Sequence, residues 1–336
     1  MARLKLTVET TKLRFAAPFR IAGHVFEHQD AVLVSLDDGT HCGRGEASGV
    51  FYLKDDAPHM LAAIEGVRRR IEAGIDRGAL QELLPCGGAR NALDCALWEL
   101  EARRSGRPVW ELAGVGEPTP LLTTFTLSAE APASMAEAAR RYTHARALKL
   151  KLTGESELDG ARVQAVRAAR PEAWIGVDAN QGYTLDKLPA LIRMLLDAKV
   201  AMLEQPLARG HEAELEGFAS PLTLAADESV LGLSEVSALV GRFNMVNIKL
   251  DKCGGLTEAL AMAREARRLG LGVMVGNMVG SSLAMAPAFI VGQLCDVVDL
   301  DGPTFLARDR TPGVTYSQGM IWCEEQVWGR QSRAAA

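Results

Sequence analysis

Two lysines share one face of a short strand in A-L-K-L-K-L-T-G, residues 147–154. Leu148, Leu150 and Leu152 alternate with Lys149 and Lys151, a period-two pattern in which residues i and i+2 point the same way. Two ammonium groups held side by side repel. On an edge strand such a pair simply discourages aggregation. In a cleft, each disfavours the other's charged form, and Lys149 is then placed to make Lys151 a usable general base.

Further along, polar residues close one apolar segment after another. Asp178 and Asn180 end W-I-G-V-D-A-N, Glu204 ends M-L-E-Q-P, and Asp227 with Glu228 ends A-A-D-E-S. Lys249 lies in V-N-I-K-L, and Asp299 with Asp301 closes V-V-D-L-D-G-P. Any one of these could cap a helix or solvate a rim. The set has a chemical meaning. Carboxylates converging from three successive segments cannot all stay ionised without a counter-charge. A divalent cation supplies it, and oxygen-only ligands favour Mg²⁺ over zinc. A substrate carboxylate in the ion's open positions would acidify the adjacent carbon, and proton loss there gives an enediolate.

Those residues need a scaffold that points them at one another. From Leu121 on, short apolar segments alternate with Ala-rich helical ones: LLTTFTLS, ALKLKL, WIGVDAN, VAMLEQP, LTLAADES, MVNIKL, GVMVGNM and VVDLDGP. Eight strands separated by helices predict a parallel β/α barrel, an α/β fold whose chemistry sits at the C-terminal strand ends. An open doubly wound sheet is the alternative, although no G-x-G-x-x-G follows any of these strands. In a barrel, Lys151 on the second strand and Lys249 on the sixth face each other across the ring. One can serve each side of an α-carbon. Before the barrel, LKLTVETTKLRF and AVLVSLDDG read as strands up to about Asp38, and 57–73 and 89–113 read as helices. The tail, 305–336, is too short to fold alone and is expected to return to the N-terminal part.

Composition narrows the classes. The 336 residues are 48% hydrophobic and 24% charged, with a net charge of −5, which describes a globular protein. There is no basic run, which excludes nucleic acid as the expected partner. No apolar run is long enough to span a membrane and no signal-peptide core opens the chain, so a cytoplasmic location is expected. Six scattered cysteines without a C-x-x-C pair suggest reduced thiols.

K-x-K, D-x-N, E-Q-P, A-D-E-S and N-I-K followed by G-G, in this order and at barrel-strand spacing, resemble the enolase superfamily in its muconate-lactonizing subgroup. The resemblance covers nearly the whole chain. It implies a (β/α)7β TIM-like barrel, 121–304, under an α+β capping domain built from 1–120 with 305–336 returning to it. It implies Asp178, Glu204 and Asp227 as Mg²⁺ ligands, Lys151 and Lys249 as the two acid/base catalysts, and Asn180 and Glu228 beside the ligands. The D-x-D at Asp299 and Asp301 looks like that of the dipeptide epimerases, which hold the substrate's α-ammonium with it. A carboxylate pair at the mouth suits a cation. Members acting on Ala-Glu place an arginine in the first cap loop, and the aligned position in FRIAGHVFEHQD is His24, the candidate contact to the substrate side chain. Glu27, Asp55 and Asp56 suit a basic or neutral side chain. The expected activity is Mg²⁺-dependent 1,1-proton transfer on a dipeptide, an isomerase reaction. N-acylamino-acid racemisation, for example of N-acetylglutamate, is the main rival. A Schiff-base lyase using the barrel lysines is a third reading and would leave the acids idle. A catalytically inert barrel used as a binding module is a fourth. The preferred dipeptide and the oligomeric state, homo-oligomer included, stay open.

Overall fold

The structure is a computed structural model that describes residues 3–21 and 24–330. Three antiparallel strands begin it, β1 (Lys5–Ile21), β2 (His24–Asp37) and β3 (Cys42–Ala47), in the order β1-β2-β3. Alternation makes β2 a one-sided strand: Val32, Val34 and Leu36 are buried, while Leu33 and Ser35 on the opposite face are partly exposed. The β1–β2 register shifts between Arg14 and Phe19, where Pro18 cannot donate to the ladder.

Helices α1 (Ala57–Glu72), α2 (Arg77–Leu83) and α3 (Gly88–Ser105) cover the sheet. Asp56 and Asp76 cap the first two by accepting from His59 N and Ala79 N. The helix expected over 89–113 ends at Ser105 instead, because Gly106 turns left-handed (φ 68°) and Pro108 follows; Val109–Leu112 is a separate turn. Helix α2 is short, and only the cap at Asp76 marks it in the sequence. Leu6, Val34, Met60, Ile64, Leu93 and Leu100 belong to a core of this layer's own.

Gly43 and Gly45 allow α3 to lie directly on β3. A Cβ on Gly45 would stand 2.0 Å from the Ala92 carbonyl oxygen, and one on Gly43 2.0 Å from that of Ala96. Gly45→Ala is therefore expected to destabilise the protein by about 2 kcal/mol, as overpacking does. Gly66→Ala, on the exposed side of α1 with open space around it, serves as control. Equal melting temperatures for the two variants would refute this packing argument.

After β4 (Leu121–Leu122) come β5 (Thr124–Leu127), β6 (Ala147–Lys151), β7 (Trp174–Asp178) and β8 (Met202–Glu204). Then follow β9 (Thr223–Ala226), β10 (Met245–Ile248), β11 (Gly272–Val275) and β12 (Val297–Val298). β5 to β12 pair in sequence order, all parallel, and a Thr123–Val298 bridge closes the ring. This is the expected (β/α)7β barrel. Five connections carry helices such as Ser156–Ala169 and Leu256–Arg268; after β8 the helical part is one turn, Glu212–Leu215, and after β9 two short ones, Leu233–Val236 and Ser237–Leu239. No helix among the described residues is long and apolar enough to cross a membrane.

The tail continues as β13 (Thr315–Ser317) and β14 (Met320–Trp322), and β14 pairs with β4. Beyond it, Trp328 Nε1 donates to the Arg44 carbonyl at 2.9 Å and Gly329 N to Glu99 at 3.1 Å. Buried carboxylates cross between the N-terminal layer and the barrel, among them Asp94, which accepts from Thr257 N at 2.9 Å. Glu46, ending β3, accepts from Ser281 N at 2.6 Å, and Asp251 accepts from Ser48 N and Gly49 N at 2.8 and 2.9 Å. These contacts hold the β1–β2 bend and the loop at 50–55 over the barrel mouth, where Phe15, Phe26, Phe51 and Tyr52 line one cavity with the strand-end lysines and acids.

Candidate active site

The barrel interior is stratified. Met202, Ala225, Met245 and Met274 form an apolar floor. Two residues beyond Ala147, Met202, Met245 and Val297 on their strands come Lys149, Glu204, Asn247 and Asp299, and at the strand ends lie Lys151, Asp178, Asp227, Lys249 and Asp301. All of these polar residues are buried. β6 and β10, which carry or lead into Lys151 and Lys249, are separated by three strands, so the two lysines approach the cavity from opposite sides.

One carboxylate oxygen from each of Asp178, Glu204 and Asp227 lies within 4.8 Å of the other two. Register explains it: Asp178 is opposite Glu204, and Glu204 is opposite Ala225, two residues before Asp227. Each acid faces a cation. Lys151 Nζ donates to Asp178 Oδ2 at 2.6 Å and Lys249 Nζ to Asp227 Oδ2 at 2.5 Å. Asn247 Nδ2 donates to Glu204 Oε1 at 2.9 Å. Lys149 Nζ sits 2.7 Å from Glu204 Oε2, without hydrogen-bond alignment, 2.9 Å from Asp299 Oδ2 and 3.5 Å from Asp178 Oδ2.

Charge does not balance here. Six carboxyl groups (Asp178, Glu204, Asp227, Glu228, Asp299, Asp301) face four ammonium groups (Lys149, Lys151, Lys249, Lys252), all buried. The excess appears as raised acid pKa values. Glu204 is pushed up to about 8 by burial and then by Asp178, Glu228 to about 7 by burial and Asp227, and Asp301 to about 7 by burial and Asp299. Burial works against the charge on Lys149 and Lys249, yet facing carboxylates, led by Asp299 and Asp227 respectively, hold both above the usual lysine range. Lys149 is thus a fixed cation beneath Lys151. A divalent ion among Asp178, Glu204 and Asp227 would relieve the repulsion, and the all-oxygen donor set suits Mg²⁺. Buried Asn180 Oδ1, Glu228 Oε2 and Tyr52 OH have no hydrogen-bond partner among the described residues, as expected of atoms reserved for a ligand.

Lys149, Lys151, Asn180, Asp227, Glu228, Lys249, Asp299 and Asp301 line one cavity, with Asp178 and Glu204 set close to Asp227, and two qualifications apply. Asp299 has both oxygens engaged, by Lys149 and by Thr124 Oγ1 at 2.5 Å, whereas Asp301 uses Oδ2 on Thr126 N at 2.6 Å. His24 opens β2, but its side chain lies outside the described residues. Asp55 and Asp56, considered for the substrate side chain, serve backbone instead: Asp55 accepts from Gly88 N at 2.7 Å and Asp56 caps α1. Sequence reasoning missed Lys252, whose Nζ donates to Asp227 Oδ1 at 2.6 Å and to the Asn247 carbonyl at 3.1 Å. Its spacing of three from Lys249 at a helix start was the available signal. Tyr52 had none, since a distant loop delivers it.

Known proteins align along the same lines. The profile described as "Enolase C-terminal domain-like" matches residues 133–325, and "Mandelate racemase / muconate lactonizing enzyme, N-terminal domain" matches 3–114. An L-Ala-D/L-Glu epimerase of Escherichia coli is 41% identical over 304 residues, 90% of this chain and 95% of that protein. An N-acetyl-D-glutamate racemase of a Pseudoalteromonas species is 41% identical over 73% of this chain and 78% of its own. The dipeptide epimerase of Methylococcus capsulatus, solved with Mg and the dipeptide L-Arg-D-Lys, superposes with a TM-score of 0.89 at 30% identity, covering 96% of this chain and 97% of that one. The two matches together span cap and barrel, and the chain belongs to the enolase superfamily, in the mandelate racemase / muconate lactonizing enzyme family.

Proposed function

We propose that this protein is a Mg²⁺-dependent dipeptide epimerase, an isomerase that inverts the α-carbon of the substrate's C-terminal residue. The observation that carries it is the pair of lysines entering one cavity from opposite sides, with the three close-set carboxylates on the strands between. Asp178, Glu204 and Asp227 would hold the ion. Bound there, Mg²⁺ would draw charge from the substrate carboxylate and so acidify the neighbouring carbon.

The chain's own residues do the rest. One lysine, in its neutral form, takes the α-proton from one face, and the ammonium of the other returns a proton to the opposite face, which inverts the centre. The roles reverse for the other diastereomer. Lys149, a fixed cation on the same strand face as Lys151, holds Glu204 and Asp299 in place beside the reacting pair. Asp301 receives the substrate's α-ammonium; Asp299 steadies that edge through Lys149 and Thr124. Asn180 and Glu228 support the ion's surroundings, and the cap aromatics exclude water. A Schiff-base role for the lysines would leave the buried acids without a purpose. We divide the chain as cap, 1–120 with 305–336, and barrel, 121–304. A cytoplasmic setting fits the six cysteines, all unpaired.

N-acylamino-acid racemisation is the second reading, favoured by the Pseudoalteromonas relative. The substrate's amine separates the two. Acetylating a dipeptide's N-terminus removes the charge that pairs with Asp301, a loss of about 2 kcal/mol, or roughly thirtyfold in kcat/KM. Exchange of the α-proton in D₂O with Mg²⁺, read by mass spectrometry on free and acetylated forms, measures this. Equal kcat/KM for the two forms would favour the racemase.

A further inference from the structure

We infer that the cavity selects dipeptides whose two side chains are both apolar, through two aromatic clusters at its mouth; the inference rests on the dipeptide-epimerase reading above. Phe15, Phe19, Phe26, Phe51 and Phe305, five of the chain's nine phenylalanines, line this one cavity. None is fully buried, and Phe51 is 36% exposed. Large rings left partly open around one mouth mark a binding surface for apolar groups.

The rings divide by position. Phe19 packs against Phe305 with centroids 4.7 Å apart, and Phe305 closes the turn Gly302–Phe305 that begins just after Asp301. This pair flanks the carboxylate assigned to the substrate's ammonium, so it meets the N-terminal residue's side chain. Phe26 lies edge-on to Phe51 at 5.3 Å, and Phe51 edge-on to Tyr52 at 5.3 Å. Tyr52, whose buried hydroxyl has no partner among the described residues, lines the cavity together with Asp227 and Glu228, and we assign this second cluster to that edge. It meets the side chain of the residue being inverted.

Nothing described in the cavity receives an acidic side chain. Its cations are Lys149, Lys151 and Lys249, each already on a carboxylate of the barrel. No arginine is among the described lining residues, and Arg20 in the cap hairpin is paired with Glu130 at 2.8 Å. A glutamate side chain would lose water against the phenylalanine rings, and each described cation of the cavity already has a carboxylate. Side-chain choice therefore parts from that named for the Escherichia coli relative.

The test compares kcat/KM for L-Ala-L-Leu, L-Ala-L-Glu and L-Leu-L-Leu, measured by α-deuterium exchange in D₂O with Mg²⁺. L-Ala-L-Leu is expected to exceed L-Ala-L-Glu at least about tenfold, and L-Leu-L-Leu to equal or exceed L-Ala-L-Leu. Phe26→Arg should reverse the Leu-to-Glu preference, and Phe305→Ala should lower L-Leu-L-Leu relative to L-Ala-L-Leu. Phe51→Arg reads the same preference from a more exposed loop if Phe26→Arg fails to fold. Wild-type turnover of L-Ala-L-Glu equal to or above that of L-Ala-L-Leu overturns the apolar clusters and leaves the epimerase reading standing. Exchange in N-acetyl-L-leucine with none in any free dipeptide overturns both.

Discussion

Lys151→Ala and Lys249→Ala are each expected to lose epimerisation by about a thousandfold or more, yet each to keep α-proton exchange with one diastereomer, and not the same one. Removing a general acid or base costs on that order. The stereochemical split is the sharper signature. β7, β8 and β9 lie between the two lysine-bearing strands, and the lysines bind different acids, Asp178 and Asp227. Each therefore reaches only its own face of an α-carbon held between them. With one lysine gone, the other still removes and returns a proton on its own side, so deuterium enters without inversion. NMR exchange in D₂O on each diastereomer separately reads the result. Both variants labelling the same diastereomer at comparable rates would exclude a two-base mechanism.

The barrel was legible because parallel strands buried on both faces read as short apolar runs, each ended by a polar residue at the functional rim. The same rule exposed Asp178, Glu204 and Asp227. Local breakers corrected the rest: Gly106 and Pro108 cut the third helix short, and α2 hid in a stretch whose clearest signal was the cap at Asp76. What the strand pattern could not reveal is what ring closure creates. Lys149 looked like a neighbour of Lys151 alone, but the segment after β12 brings Asp299 within 2.9 Å of it, which makes Lys149 the hub of the acid network. Asp55 and Asp56 looked like substrate groups because nothing in their spacing announces the backbone amides they accept from. The aromatic mouth was invisible for a similar reason. Its phenylalanines are spread over nearly three hundred residues, and only the cap's placement over the barrel gathers them.

Asp227→Asn carries the second large effect, because three roles meet at one carboxylate. Its Oδ2 takes Lys249, its Oδ1 takes Lys252, and it completes the oxygen set with Asp178 and Glu204. Burial alone would raise its pKa, yet Lys249, Lys252 and Lys149 outweigh that and hold the group well below the usual carboxylate range, so it is an anion throughout the working pH. Asparagine offers one neutral oxygen and turns an N–H donor toward an ammonium. A hard divalent ion loses one of three anionic ligands, and Mg²⁺ affinity is expected to fall about a hundredfold or more, close to 3 kcal/mol. Turnover falls with it, but turnover alone is ambiguous, since Lys249 loses its partner in the same variant. Calorimetric titration with Mg²⁺ separates the two causes. Far-UV circular dichroism should remain that of the wild type, because the substitution lies at the strand ends and leaves the apolar floor of Met202, Met245 and Met274 untouched. Wild-type Mg²⁺ affinity in a folded Asp227→Asn protein would mean that the ion, if any, binds elsewhere, and that the acids serve only to hold the lysines.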